Sequence, residues 1–229
     1  MTIIKIISKK DYEKTHTKPN QKVVWNEIAK PWKTYVVNPI PIVKEFLKNK
    51  KGKIIDLGCG AGRNMIRSKD IEYYGIDFSE IQIKQAEEYC KKNNIHAHLY
   101  QLEADNLKQF ENEMFDSGLC IASLHCIELK QKRKKALKEF YRVLRKDAEA
   151  LITVWNSDDK RFKEVKNHGE IYMSWKENHI PHMRYYYLFK KKEFIELITS
   201  CGFEILEFYE PREKDRFSKK NWIIRLKKI

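Results

Sequence analysis

Asp56-Leu57-Gly58-Cys59-Gly60-Ala61-Gly62-Arg63 follows the apolar run Lys53-Ile54-Ile55-Asp56-Leu57, and this passage decides the fold. A brief apolar run ending in a glycine cluster signals a buried strand that enters a tight turn. Glycines at alternate positions let the backbone bend and approach a ligand, because no Cβ stands in the way. The helix start expected next offers unpaired N–H groups. A dinucleotide site favours G-x-G-x-x-G with close pyrophosphate contact. Here the third glycine comes early, at Gly62, and the large Arg63 follows, which favours a nucleoside cofactor without a pyrophosphate.

Tyr73-Tyr74-Gly75-Ile76-Asp77 reads as the next strand. Ser79 offers an N-cap for a helix with Ile81, Ile83, Ala86, Tyr89 and Cys90 on one face. Strands are expected at 97–102, 117–123 and 150–155, with a basic helix over 130–145 that turns Ala136, Leu137, Phe140, Tyr141 and Leu144 inward. A helix over 191–200, a stop at Gly202, a strand over 203–209 and a last strand over 222–226 complete the chain. Strands alternating with helices imply an α/β fold with a doubly wound, mostly parallel sheet. Residues 156–190 interrupt this rhythm and read as an insertion. Residues 1–50 read as a polar, basic extension with one short helix around Ile42, Val43, Phe46 and Leu47. No linker or repeat divides residues 1–229, so one domain is expected.

Asp77 stands 21 residues beyond Asp56 at a strand tip, where a carboxylate can accept hydrogen bonds from both hydroxyls of a ribose. Asp105, with Asn106 beside it, follows the third strand and would reach the same carboxyl edge near a purine ring. Each Asp also has an ordinary alternative, capping the helix that follows.

Composition bounds the rest. The 229 residues carry 46 Lys+Arg against 32 Asp+Glu, a formal charge of +14, and 42% are hydrophobic. That is enough apolar content for a core and rules out whole-chain disorder. The longest weakly polar run, 118–127, is broken by His125 and is too short to span a membrane. Met1–Lys10 lacks the apolar core and small-residue cleavage site of a secretion signal. Five cysteines without a C-x-x-C spacing fit reduced thiols in a cytoplasmic protein. His96-x-His98 and His179-x-x-His182 show no further ligands in the sequence nearby, and no metal site is expected. The positive charge has two readings: a Lys-rich solvated surface, or a surface for nucleic acid. Residues 130–146 concentrate it, with nine Lys/Arg and one acid, Glu139.

Asp56–Arg63, Gly75-Ile76-Asp77, Ala104-Asp105 and Phe115-Asp116 together resemble the class I S-adenosylmethionine-dependent methyltransferases. The resemblance covers roughly residues 50–155. It implies a seven-stranded Rossmann-like sheet with an antiparallel last strand, and S-adenosyl-L-methionine as cofactor. The candidate cofactor set is Trp32, Asp56, Gly58, Gly60, Gly62, Arg63, Asp77, Phe78, Ser79, Asp105, Asn106 and Ile121. After the fourth strand the chain reads Ile121-Ala122-Ser123-Leu124-His125-Cys126, without the Asn/Asp-Pro-Pro-aromatic motif of amide-nitrogen methylation. Cys126 is a formal nucleophile for carbon-5 methylation, although an apolar Cys at a strand end is more often inert packing. His125 could orient a substrate or move a proton, or be a satisfied core histidine.

Val24-Trp25-Asn26-Glu27-Ile28-Ala29, Pro31-Trp32, Leu124-His125, Arg142-Val143-Leu144, Val154-Trp155, Arg184–Phe189 and Asn221-Trp222 resemble, over about residues 20–228, the Trm9-like tRNA wobble-uridine methyltransferases, including the AlkB-homologue-8 type. The resemblance implies conversion of 5-carboxymethyluridine at the tRNA wobble position to its methyl ester, with tRNA as substrate and a small zinc-binding Trm112-like activator protein as partner. A carboxylate acceptor is already ionised near neutral pH and needs no strong base, only positioning and partial neutralisation. Arg184 could hold it in a fork, Asn221 and His125 could bind the uracil edge or the acid, and Trp222 or Trp32 could stack. The chain departs from the family pattern at Val36, at Cys126, at Tyr187 and at Asp147-Ala148. Two rival readings are a small-molecule O- or C-methyltransferase on the same fold and a non-catalytic RNA-binding or scaffolding module.

Overall fold

The computed structural model describes residues 5–35, 38–177, 180–209 and 217–229; Val36 and His179 lie outside them. Along the chain run β1 (Ile6–Ser8), α1 (Lys9–Tyr12), α2 (Gln21–Tyr35), α3 (Pro41–Leu47), β2 (Gly52–Leu57), β3 (Ile71–Asp77), α4 (Glu80–Lys92), β4 (Ala97–Gln101) and β5 (Phe115–Ile121). They are followed by α5 (Lys130–Val143), β6 (Leu144–Trp155), β7 (Glu170–Glu177), β8 (Ile180–Tyr187), α6 (Lys191–Thr199), β9 (Phe203–Tyr209) and β10 (Asn221–Lys228).

Seven strands form one sheet in the order β4-β3-β2-β5-β6-β10-β9. The pairs among β4, β3, β2, β5 and β6 are parallel, and β10 runs antiparallel to both its neighbours. The period-two pleat explains why β2 reads as continuously apolar. Ile55 and Leu57 enter the core on one face, with Leu137 and Phe140 of α5 and Phe194 and Ile198 of α6. Ile54 enters the other, with Val43 and Leu47 of α3 and Ile83 and Cys90 of α4. The expected doubly wound sheet with an antiparallel last strand is therefore present. No helix among the described residues is long and apolar enough to cross a membrane.

Four local readings differ from the structure. The helix expected after the glycine turn is absent: residues 58–70 run through turns and bends into β3. The helix expected over 130–145 stops at Val143, and the strand expected from residue 150 already begins at Leu144. Asp147 takes φ +61 inside it, the left-handed conformation that glycine favours and Asp tolerates. Trp25–Trp32 lies in a fifteen-residue helix that continues past Pro31. Val24, Ile28 and Ala29 make its buried stripe, and it packs on α4, β7 and β8. The insertion is not irregular: β7 and β8 form an antiparallel hairpin, and β1 of the extension pairs with β7, matching Ile6 to Met173. Extension and insertion thus share a second, three-stranded sheet, a long-range pairing that leaves no local signature in either segment.

Candidate active site

The carboxyl ends of β2, β3 and β5 converge on a cavity of about 320 Å³, where ligands of open parallel sheets bind. Gly58, Gly60 and Gly62 take φ of +74, +55 and +80, so the turn is one that glycine adopts without strain. A Cβ on Gly58 would lie 2.3 Å from Ser123 Oγ, which donates to the Gly58 carbonyl at 2.8 Å. At Gly62 a Cβ would also stand tightly against Ala86 of α4, at 3.3 Å. Only Gly60 lacks close neighbours at its missing Cβ, the nearest being Gln82 Oε1 at 3.7 Å, and it lines the cavity.

Asp77 bridges two elements. Its carboxylate accepts from Gly60 N at 3.0 Å and from Ser79 N at 2.9 Å, so it ties the glycine turn to the start of α4. Ser79 caps that helix through Gln82 N and also donates to Asn26 of α2 at 2.6 Å. Burial pushes the Asp77 carboxyl up to about 6. Asp56, 1% exposed, is raised to about 7 by burial and then by the charge of Asp77; its Oδ2 has no hydrogen-bond partner. Burial lowers the Arg63 guanidinium to about 10.

Two buried acidic groups beside a cavity, one with an unused oxygen, suit a cationic ligand with hydroxyls, and S-adenosylmethionine fits that demand. Asp77 would hold the ribose hydroxyls, while Asp56 and the Gly58–Gly60 turn would face the charged methionine end. Trp32, Gly58, Gly60, Arg63, Asp77, Phe78 and Ile121 line the cavity; Asp56 and Ser79 stand behind them. Asp105 and Asn106 do not line it. Asp105 lies 3.5 Å from Lys135 of α5, Asn106 N closes a turn on the Glu103 carbonyl, and Leu102, Glu103 and Ala104 form that wall. The charge on α5 claimed the Asp105 side chain, a tertiary effect that strand-end position does not reveal.

A pH dependence follows. A sulfonium cation favours ionised carboxyls, so its affinity is highest above pH 7 and falls as Asp56 and then Asp77 take up protons. Between pH 7.5 and 5.5 the dissociation constant for S-adenosylmethionine should rise by about tenfold in calorimetry. S-adenosylhomocysteine, which lacks the sulfonium charge, should show a shallower slope.

The four residues expected to meet the acceptor are all buried, and none lines the cavity itself. His125 sits on a short turn with its ring against Trp155 at 5.0 Å and Tyr186 at 5.6 Å, and Nδ1 faces Trp155 N at 3.4 Å. Burial, then the Arg161 charge, lowers it to about 3, so it stays neutral. Arg184 of β8 has its guanidinium over Trp32, Trp175 and Tyr186 at 5.2, 5.3 and 5.4 Å. His125 and Arg184 therefore share one aromatic cluster, and Trp32 connects it to the cavity. Asn221 pairs in register with Trp155, donates to the Phe217 carbonyl at 2.7 Å and leaves Oδ1 unpartnered. Trp222 belongs to the sheet core, its Nε1 donating to the Phe189 carbonyl at 2.9 Å. Trp175 escaped the sequence reading because only the pairing of β7 with β8 sets it across from His182, two residues short of Arg184. Cys126 does line the cavity, but burial drives its thiol far up, which keeps it protonated.

Fold and site together define a class I S-adenosylmethionine-dependent methyltransferase. The chain belongs to the methyltransferase domain family, whose model matches residues 48–199. It is similar to the tRNA (carboxymethyluridine(34)-5-O)-methyltransferase of Saccharomyces cerevisiae (strain ATCC 204508 / S288c), 30% identical over 158 residues, 66% of this chain and 54% of that protein. It thus spans about half the length of that relative. The protein of the same description from Schizosaccharomyces pombe (strain 972 / ATCC 24843) is 26% identical over 210 residues, covering 80% of this chain and 88% of its own length. The crystal structure of a S-adenosylmethionine-dependent methyltransferase from Methanosarcina mazei superposes with a TM-score of 0.69 at 22% identity, over 84% of this chain and 99% of that one, which speaks for the fold.

Proposed function

We propose that this methyltransferase esterifies the carboxylate of 5-carboxymethyluridine at the wobble position of tRNA. The observation that carries the reading is the Arg184 guanidinium. It is 3% exposed, its Nε has no hydrogen-bond partner, and Nη2 reaches only the Ser174 carbonyl, at 3.5 Å. No carboxylate among the described residues forms an ion pair with it. A buried cation held by aromatic faces and one long hydrogen bond is costly, and an acceptor carboxylate would complete it.

The surrounding groups fit an acceptor that needs no deprotonation. His125 is too weakly basic to take a proton near neutral pH, and the Cys126 thiol stays protonated. S-adenosylmethionine supplies an electrophilic methyl group. Arg184 would orient the attacking carboxylate, Trp32 would offer a stacking face, and the indoles around them would exclude water. For tRNA, Lys130, Lys132, Lys134, Lys135 and Lys138 are the exposed cations of α5, with Lys132 at the cavity. Arg133 and Arg142 are committed to the fold, through Ile127 and Tyr185 and through Glu139, Leu107 and Phe110. The same reading carries tRNA and a Trm112-like activator as partners, and the assay should be run with and without the activator.

The test uses transfer RNA first treated with mild alkali, which frees carboxylates from existing esters, and methyl-labelled cofactor. Label should enter one wobble nucleoside and leave as methanol under a second mild alkaline treatment, as an ester must. Alkali-stable label, or turnover indifferent to prior ribonuclease digestion, would overturn the proposal in favour of nitrogen, carbon or small-molecule methylation.

A further inference from the structure

His96-x-His98 lacks a third ligand in sequence, and the pairing of β3 with β4 supplies one. Parallel pairing sets Tyr73 opposite Ala97 and Tyr74 opposite His98, which brings Glu72 beside the two histidines. The ligand atoms of Glu72, His96 and His98 all lie within 4.8 Å of one another. His98 Nε2 is 2.7 Å from Glu72 Oε1, and the two imidazole rings are 5.3 Å apart. Tyr74 OH donates to the same Glu72 oxygen at 3.2 Å, so the carboxylate is already oriented by an outer hydrogen bond.

We propose that Glu72, His96 and His98 form a binding site for Zn²⁺ or a neighbouring first-row divalent ion. Two imidazoles and a carboxylate are a borderline donor set that suits such ions and disfavours Ca²⁺ or Mg²⁺, which require mostly oxygen ligands. Bond lengths of about 2.0–2.2 Å space tetrahedral ligand atoms by roughly 3.4 Å, so the widest separation would close by about an ångström while His98 Nε2 and Glu72 Oε1 would part slightly. Half-exposed side chains on a sheet edge can make that adjustment, and solvent would fill the remaining position. The site is separate from the cofactor cavity, because Glu72 precedes Asp77 by five residues of β3, about 16 Å at the rise of a strand. Bound metal would pin the edge strand β4 to β3, a structural rather than catalytic role.

The experiment is calorimetry with Zn²⁺ on the tag-free full chain, paired with Co²⁺ absorption. One equivalent should bind, with Co²⁺ giving visible bands of a nitrogen–oxygen site and no thiolate charge-transfer band. The double variant His96→Ala/His98→Ala should lose that equivalent, and Tyr74→Phe should weaken it by about tenfold. At a hundredfold excess over the dissociation constant, Zn²⁺ should raise the melting temperature of the wild type by about 5–10 °C and leave the double variant unchanged. Absence of binding, binding undiminished in the double variant, or a thiolate band showing cysteine ligation would each overturn the proposal.

Discussion

An Arg184→Gln enzyme is expected to lose about 30- to 1000-fold in kcat/KM for tRNA while binding S-adenosylmethionine within threefold of wild type. The size follows from removing a charge-assisted, forked contact to a carboxylate, about 2–4 kcal/mol. Cofactor affinity is spared because Arg184 does not line the cavity and stands behind Trp32, whose ring is 5.2 Å from the guanidinium. Stability should move the other way. The guanidinium is buried among three aromatic rings without a counter-ion among the described residues, so a neutral side chain there relieves an uncompensated charge. Arg184→Met, which fills the same cage, should melt at or above the wild-type temperature while showing the same activity loss. Arg184→Lys should recover only part of the activity, because an ammonium cannot form the fork. Lowered melting with unchanged kcat/KM would mark Arg184 as a structural residue and remove the support for a carboxylate acceptor.

The second large effect is expected at Asp77. Asp77→Ala should raise the dissociation constant for S-adenosylmethionine by about 100- to 1000-fold in calorimetry, since two hydrogen bonds to a charged acceptor are lost at about 1.5–3 kcal/mol each and part of that sum is recovered by water. The alanine also frees Gly60 N and Ser79 N, which the carboxylate now holds at 3.0 and 2.9 Å. A fall in the melting temperature of the cofactor-free protein should therefore accompany the affinity loss. Asp77→Asn keeps one acceptor oxygen and should fall between alanine and wild type. Asp105→Ala supplies the contrast. Its carboxylate lies against Lys135 and not along the cavity, so an effect below about fivefold is expected, the scale of an exposed ion pair. Equal losses at Asp77 and Asp105 would contradict this division of labour between the two strand tips.

The sheet, the glycine turn and the cofactor class are legible in the residue order. Each of these is written in contiguous residues: an apolar strand buried on both faces, three alternate glycines whose positive φ suits a residue without Cβ, and an aspartate at the next strand tip. Local order suffices there because each signal and the strand or turn it dictates lie within a few contiguous residues. What surrounds that strand and turn comes from contacts between elements distant in the chain. Pairing of β1 with β7 joined the extension to the insertion, and packing of the β7–β8 hairpin on α2 gathered Trp32 with Trp175, Tyr186 and Arg184 from two distant segments. The same kind of pairing brought Glu72 to His96 and His98, and a charge on α5 turned Asp105 away. Such contacts arise from burial and charge neutralisation between elements far apart in the chain, and spacing along the chain carries no record of which of them will meet.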